Sequence, residues 1–382
     1  MSYRVQIKAG AIQVARPLVW DVYDDKGVLL LHKGNVIESA RQLDILMARG
    51  LFFMSENMPD PDIGKPVPQQ EENCPFPLIE QIYPRLEKLI DANNPETEKD
   101  FPAKIIGLCS QLQRACTQDA DAALSTILLG TAFRYSIRHN VDVAIICELI
   151  GQTLELSAEE RLSVLAAALT ANIAMTALTD VLYAQPDPLS DREKEAIVAH
   201  PESGVALLKA CGVNDPLWLS CVLHHHRSAD GKGYPQGFSE DPPPAAARMI
   251  ALADFFCAKI SGRSYRPPLS SHKAMQAIFP ASDGRFDAGI AELFVKTLGI
   301  YLPGTFVSLK NNQIAVVTRR GEKIQSPIVY AVTGKDGMPL PGPVYRDTCL
   351  PDYGIVRSIP AKEVVVKVNR YQLWGYGGFN PK

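Results

Sequence analysis

From about residue 79 to residue 300 the apolar positions recur every three or four residues, the spacing that lines one face of an α-helix. Ser157 with Glu160, and Ser190 with Glu193, have the form of capping boxes, in which the first turn satisfies its own spare donors. The first opens onto Leu162, Leu165, Ala166 and Leu169, the second onto Ala196, Ile197 and His200. Pro201, directly after His200, predicts that one helix stops and another starts there, since proline suits a first turn. Ala245 to Ala253 reads as a further buried helix.

The flanks follow other rules. Residues 1–57 read as a small α+β unit, with Val22-Tyr23 and Val28 to Leu31 as strands around the turn Asp24-Asp25-Lys26-Gly27. A helix follows: Ser39 and Gln42 suggest a capping box, Leu43, Leu46 and Met47 keep helical spacing, and Gly50 suits a left-handed stop. Residues 58–78 hold prolines among polar residues and read as a linker. After Pro303 strands are expected at 305–309 and 314–318, around Asn311-Asn312, and at 328–332 and 364–368. This β-rich extension, 301–382, is short for a large core of its own and is expected to pack on the helices. The expected fold class is mainly α, with an all-helical domain at 79–300 and the two smaller pieces at its ends.

Composition narrows the function. The 382 residues, at roughly one to two hundred per domain, predict two or three domains. Lys and Arg number 39 against 42 Asp and Glu, a net charge of −3, so nothing draws the whole chain to nucleic acid or to an anionic membrane. No run nears the roughly eighteen apolar residues of a membrane span, and MSYRVQIKAG lacks the apolar core of a secretory signal. Eight scattered cysteines without a C-x-x-C pair read as reduced, packed thiols. A cytoplasmic protein is expected.

Candidate chemistry concentrates in one stretch. His224, His225 and His226 are consecutive, His200 lies upstream, and Asp230-Gly231-Lys232-Gly233-Tyr234-Pro235 follows. Imidazoles bind divalent transition metals, and a His pair with a distant His and a carboxylate can make a site. Successive helical side chains diverge by about 100°, so at most two of the triplet can face one ion. Taken singly, the triplet also suits a polar helix end, and the Gly-Pro stretch an ordinary tight turn.

Together, His200-Pro201…Gly204, His225-His226, Asp230 to Pro235, Ala253-Asp254 and Arg263-Ser264-Tyr265-Arg266 resemble the HD-GYP family over most of residues 130–300. These are bacterial metal-dependent phosphodiesterases of cyclic di-GMP, related to the wider HD phosphohydrolases. Tyr135, Ser136 and His139 look like the opening helix, and Gly299 to Thr305 like the closing segment. The resemblance implies metal ligands at His200, His225, His226 and Asp254, a mobile ligand-binding cation at Lys232, and phosphate-facing cations at Arg263 and Arg266, which otherwise read as a solvated charged loop. It implies that Tyr234 packs against a base or a partner. The loop Asp230, Gly231, Gly233, Tyr234 and Pro235 would also contact diguanylate-cyclase (GGDEF) domains. Similar small modules precede such domains, which makes dimerisation or partner binding an expectation for 1–57.

The departures set the functional expectation. The His-Asp dyad of active members should fall at Ala171 and Asn172, and its Gly-Lys step at Ala174 and Met175. An expected acidic residue is Arg227, and a second aspartate is Cys257. Two cations about 3.5–4 Å apart need a shared carboxylate to offset their repulsion. Asn172 bridges poorly, Ala171 not at all, and Arg227 adds a permanent positive charge. The remaining ligands form a vestigial set for at most one divalent ion, iron or manganese, if any cofactor binds. The expectation is therefore a cyclic di-GMP receptor or protein scaffold without hydrolysis. The alternatives are a residual one-metal phosphodiesterase or phosphohydrolase, and a helical platform that binds only protein.

Overall fold

The computed structural model describes residues 3–7, 12–18, 20–55, 74–91, 98–130, 133–228, 230, 232–236, 243–278 and 286–376. The chain forms two compact units, Cys74–Ile300 and a second assembled from Met1–Asn73 with Tyr301–Lys382.

The N-terminal part carries β1 (Tyr3–Gln6), β2 (Val22–Tyr23), β3 (Leu29–Leu31), α1 (Ala40–Ala48) and β4 (Phe52–Ser55), in an antiparallel sheet ordered β1-β4-β2-β3. Ser39 caps α1 by accepting from the Gln42 N–H, and the Gln42 side chain accepts from the N–H of Glu38, one residue earlier than a capping box requires. Gly50 ends the turn at φ +72°, a conformation that favours glycine.

The helical unit comprises α2 (Pro75–Ile90), α3 (Phe101–Gln118), α4 (Ala120–Leu129), α5 (Tyr135–Thr153), α6 (Ala158–Thr170), α7 (Thr176–Ala184), α8 (Asp191–Ala210), α9 (Pro216–His224), α10 (Ala245–Ser261), α11 (Ser271–Gln276) and α12 (Ala288–Leu298). Both capping boxes form, at Ser157–Glu160 and Ser190–Glu193. Most of the expected linker lies outside the described residues, but Pro75 and Pro77 start α2, where a missing N–H costs little because the first turn has no intrahelical acceptors. The break expected at Pro201 is absent: α8 runs through it. Ala158–Ala184 is long and apolar enough to cross a membrane by composition, yet 61% of its most apolar window is buried in the protein.

α5 is the centre of this unit. From Tyr135 to Gly151 every residue but Arg138 is buried, and it packs on α6, α7, α10 and α12. A helix enclosed on all sides leaves its polar residues in need of partners. Ser136 bonds Asp180, Asn140 donates to the Leu169 carbonyl, and the carboxylate of Glu148, fully enclosed, pairs with Arg161 at 3.1 Å.

The C-terminal part holds β5 (Phe306–Leu309), β6 (Ile314–Arg319), β7 (Ile328–Thr333), β8 (Pro339–Asp347), β9 (Ile355–Ile359) and a last helix, α13 (Arg370–Leu373), with sheet order β8-β7-β6-β5-β9. Three expected strands are present. The fourth, 364–368, is not a strand; Val366 makes a single bridge to Ile12. Sequence reading missed β8 because of Pro339, Pro341 and Pro343, which an edge strand tolerates since its outer side needs no ladder donors. Met338 enters the N-terminal core beside Trp20 and Phe53, and Arg16 bonds the Ala361 and Val364 carbonyls at 2.8 and 2.9 Å.

Candidate metal centre

Four helices of the helical unit deliver the candidate ligands. α8 carries His200, the turn ending α9 carries His225 and His226, α5 carries His139, and α10 carries Asp254. His200, His225 and His226 bring ligand atoms within 4.8 Å of one another. His224 turns aside, its Nδ1 2.9 Å from the Ser220 carbonyl, so two of the three successive histidines join the cluster.

The hydrogen bonds dictate which nitrogens face inward. His200 Nδ1 lies 2.6 Å from the Ile197 carbonyl, and His225 Nδ1 lies 2.7 Å from the Val222 carbonyl. A carbonyl can only accept, so in a neutral ring each Nδ1 carries the proton and each Nε2 keeps its lone pair. Those two Nε2 atoms face each other at 3.1 Å. Two lone pairs at that separation repel unless a proton or a cation lies between them. Both rings resist the proton: burial, then the neighbouring imidazole charge, pushes His200 and His225 down to about 4. Neutral, inward-facing imidazoles suit a divalent cation.

Asp254 stands beside this cluster. His139 Nε2–H donates to its Oδ1 at 2.7 Å, and the Tyr135 hydroxyl lies 3.4 Å from His139 Nδ1. Burial alone would raise the Asp254 carboxyl, but the His139 bond and the charges of His139, His226 and His225 outweigh it and hold the group below the usual carboxylate range. Burial and the Asp254 charge push the Tyr135 phenol up. His139 is the site residue that sequence reading missed; it was assigned only to the opening helix. No local signal set it apart, since α5 also carries Ser136, Asn140, Asp142 and Glu148 among its buried residues.

The loop that follows is stitched to the histidine turn. Ser228 N–H donates to the Lys232 carbonyl at 2.7 Å, Tyr234 N–H to the His226 carbonyl at 3.3 Å, and Arg227 bridges Gly233. Gly233 has φ +94°, and a Cβ there would come 2.2 Å from the His226 carbonyl oxygen. Only glycine fits. The Tyr234 ring then lies 4.7 Å from His226 and 6.1 Å from His200 between centroids. Lys232 is exposed and pairs with Asp230 at 3.0 Å, while Gly231 lies outside the described residues. Arg266 donates to the Ala258 carbonyl at 2.8 Å near the end of α10, and Arg263 reaches the Tyr265 hydroxyl at 3.3 Å.

At the dyad positions, Ala171 and Asn172 are buried just beyond α6. Asn172 Nδ2 donates to Asn140 Oδ1 at 3.2 Å, so its amide is engaged with α5. One turn after His200, a methyl on Gly204 would lie 3.9 Å from the Ala171 carbonyl oxygen, which places this corner against α8. Arg227 is buried and its charge depresses His224, after the larger effect of burial. Burial, then the Asp142 and Asp254 charges, keeps the Cys257 thiol well above its ordinary range.

Residues 108–290 match the HD domain family. The chain is 28% identical over 236 residues to the cyclic di-GMP phosphodiesterase PA4108 of Pseudomonas aeruginosa, which covers 61% of this chain and 57% of that protein. It is 30% identical over 141 residues to the cyclic di-GMP phosphodiesterase response regulator RpfG of Xanthomonas campestris, 36% of this chain and 37% of that one. The chain thus spans little more than half of the first relative and less of the second. A solved structure, the HDG"Y"P protein Bd1817 of Bdellovibrio bacteriovorus, aligns with 77% of this chain and 99% of its own at 14% identity and a TM-score of 0.48.

Proposed function

We propose, from the premise that this chain belongs to the HD-GYP family of HD-domain proteins, that its helical unit is a cyclic dinucleotide site of the cyclic di-GMP class, acting as a slow, one-ion phosphodiesterase. The observation that carries this reading is the facing Nε2 pair of His200 and His225, each ring held at Nδ1 by a backbone carbonyl. His200, His225 and His226 would hold the ion, with the Asp254 carboxylate, steadied by His139, supplying negative charge beside it. A divalent ion there supplies Lewis-acid stabilisation of charge on phosphodiester oxygens and makes water a better nucleophile. Tyr234 offers an apolar face for a base, and Lys232 and Arg263 offer cations for phosphates. The relatives carrying phosphodiesterase names favour hydrolysis over a receptor without turnover. The loop from Asp230 to Pro235 is the proposed surface for a GGDEF-domain partner, and a homodimer is the proposed assembly.

A second reading, a receptor that binds without hydrolysis, is favoured by one observation: Ala171 and Asn172 supply no bridging carboxylate, and Asn172 is tied to Asn140. One experiment separates the two. The purified protein is analysed for iron and manganese, then titrated with cyclic di-GMP by calorimetry and assayed for turnover with added manganese. Manganese-dependent hydrolysis supports the enzyme. Binding without product supports the receptor, and no heat at saturating nucleotide sinks both.

A further inference from the structure

We infer that Pro201 is a positioning residue for the metal centre, an inference that rests on the metal-centre reading above. By withholding one backbone donor inside α8 it leaves the Ile197 carbonyl to His200 Nδ1, and so decides which imidazole nitrogen faces the site.

The argument begins with the helical ladder. In an α-helix the N–H of residue i bonds the carbonyl of residue i−4, so the donor owed to Ile197 belongs to position 201. Proline has no N–H, and its ring also crowds the carbonyl four residues back. α8 nevertheless continues to Ala210, with His200, Pro201 and Gly204 all buried. A buried carbonyl without a donor is costly, and this one is satisfied by His200 Nδ1 at 2.6 Å. The bond commits the proton to Nδ1 and turns the Nε2 lone pair toward His225 Nε2, 3.1 Å away. His225 reaches the same state by another route. Its Nδ1 takes the carbonyl of Val222, which lies in the last turn of α9, where the ladder runs out of donors. One imidazole is set by a helix end and the other by a proline.

A merely structural proline would act on the helix and not on the ring, and the two roles separate experimentally. Pro201→Ala restores an N–H to the Ile197 carbonyl, which then competes with His200. Alanine is the better helix former, so the melting temperature of the metal-free variant should hold or rise. Side-chain 15N NMR should show His200 as Nδ1–H in the wild type and as a mixture of tautomers in the variant. Cobalt(II) affinity, followed by its visible absorption, should fall by about 10–100-fold, the usual effect of losing a group that orients a ligand. A variant that keeps the Nδ1–H pattern and full cobalt affinity overturns the inference, as does a fall in melting temperature matched by the loss of affinity. If the variant does not fold, the wild-type spectrum decides alone: an Nε2–H His200 overturns the inference and an Nδ1–H one supports it. A wild type that takes up no cobalt sinks the metal-centre reading, while the tautomer readout in metal-free protein still judges Pro201.

Discussion

On the histidine side of the site, each ring of the facing pair is aimed by a backbone carbonyl, and His139 steadies Asp254. On the dyad side, Ala171 contributes only a methyl, and Asn172 turns its amide to Asn140, which in turn donates to the Leu169 carbonyl. The first arrangement turns two Nε2 lone pairs toward one point, where a cation would be held; the second spends its hydrogen bonds on helix packing. The two arrangements meet on α5, where His139 serves the first and the next residue, Asn140, serves the second. α8 and α10 carry His200 and Asp254 and the turn ending α9 carries His225 and His226, while Ala171 and Asn172 lie in the turn after α6.

The largest expected effect tests the histidine side. His225→Ala should remove bound metal and reduce any cyclic di-GMP turnover to background, read by metal analysis and product formation. A variant that retains stoichiometric metal would mean that other side chains make the centre.

Next comes acidity. His200 and His225 stand at about 4 in the folded protein against roughly 6.5 in an unfolded chain, so the unfolded state binds more protons between those values. Stability of the metal-free protein is then complete above about pH 6.5 and is lost as pH falls toward 4, by on the order of 3 kcal/mol for one ring. Melting temperatures across that window check this; a flat profile would show that the rings protonate freely and are not held neutral.

The smallest expected effect tests the dyad side. Ala171→His with Asn172→Asp should leave turnover within about tenfold of wild type, because Met175 and Arg227 are unchanged. The same double change removes the amide donor from Asn140 Oδ1 and sets a carboxylate against it, a loss of about 1–3 kcal/mol in stability. Asn140 cannot simply flip, since its own Nδ2 is engaged at Leu169. Vigorous hydrolysis by this variant would show that the dyad alone separates the two halves.

Much of the scaffold was legible in the chain. Ser157–Glu160 and Ser190–Glu193 announce their helices because a capping box is a contact across three residues, complete within one turn. The clustering of His200, His225 and His226 was readable from the motif order. Pro201 misled because local propensity says that proline ends a helix, whereas burial of α8 and a side-chain donor for Ile197 let it continue. β8 was hidden by prolines that matter only if both strand edges need ladder donors. His139 was not recognised as a site residue because its partner, Asp254, is 115 positions away.

The sequence by itself determined the residue types on offer: imidazoles at 200, 225 and 226, a carboxylate at 254, a methyl and an amide at 171 and 172, and a glycine where the His226 carbonyl allows no Cβ. Tertiary structure decided which nitrogen of each ring faces inward, that Asp254 answers to His139, and that Asn172 is committed to Asn140. The reason is one of range. Caps and turns close within a few bonds of the residues that make them, while the direction of a lone pair depends on carbonyls and side chains that meet only after the helices have packed.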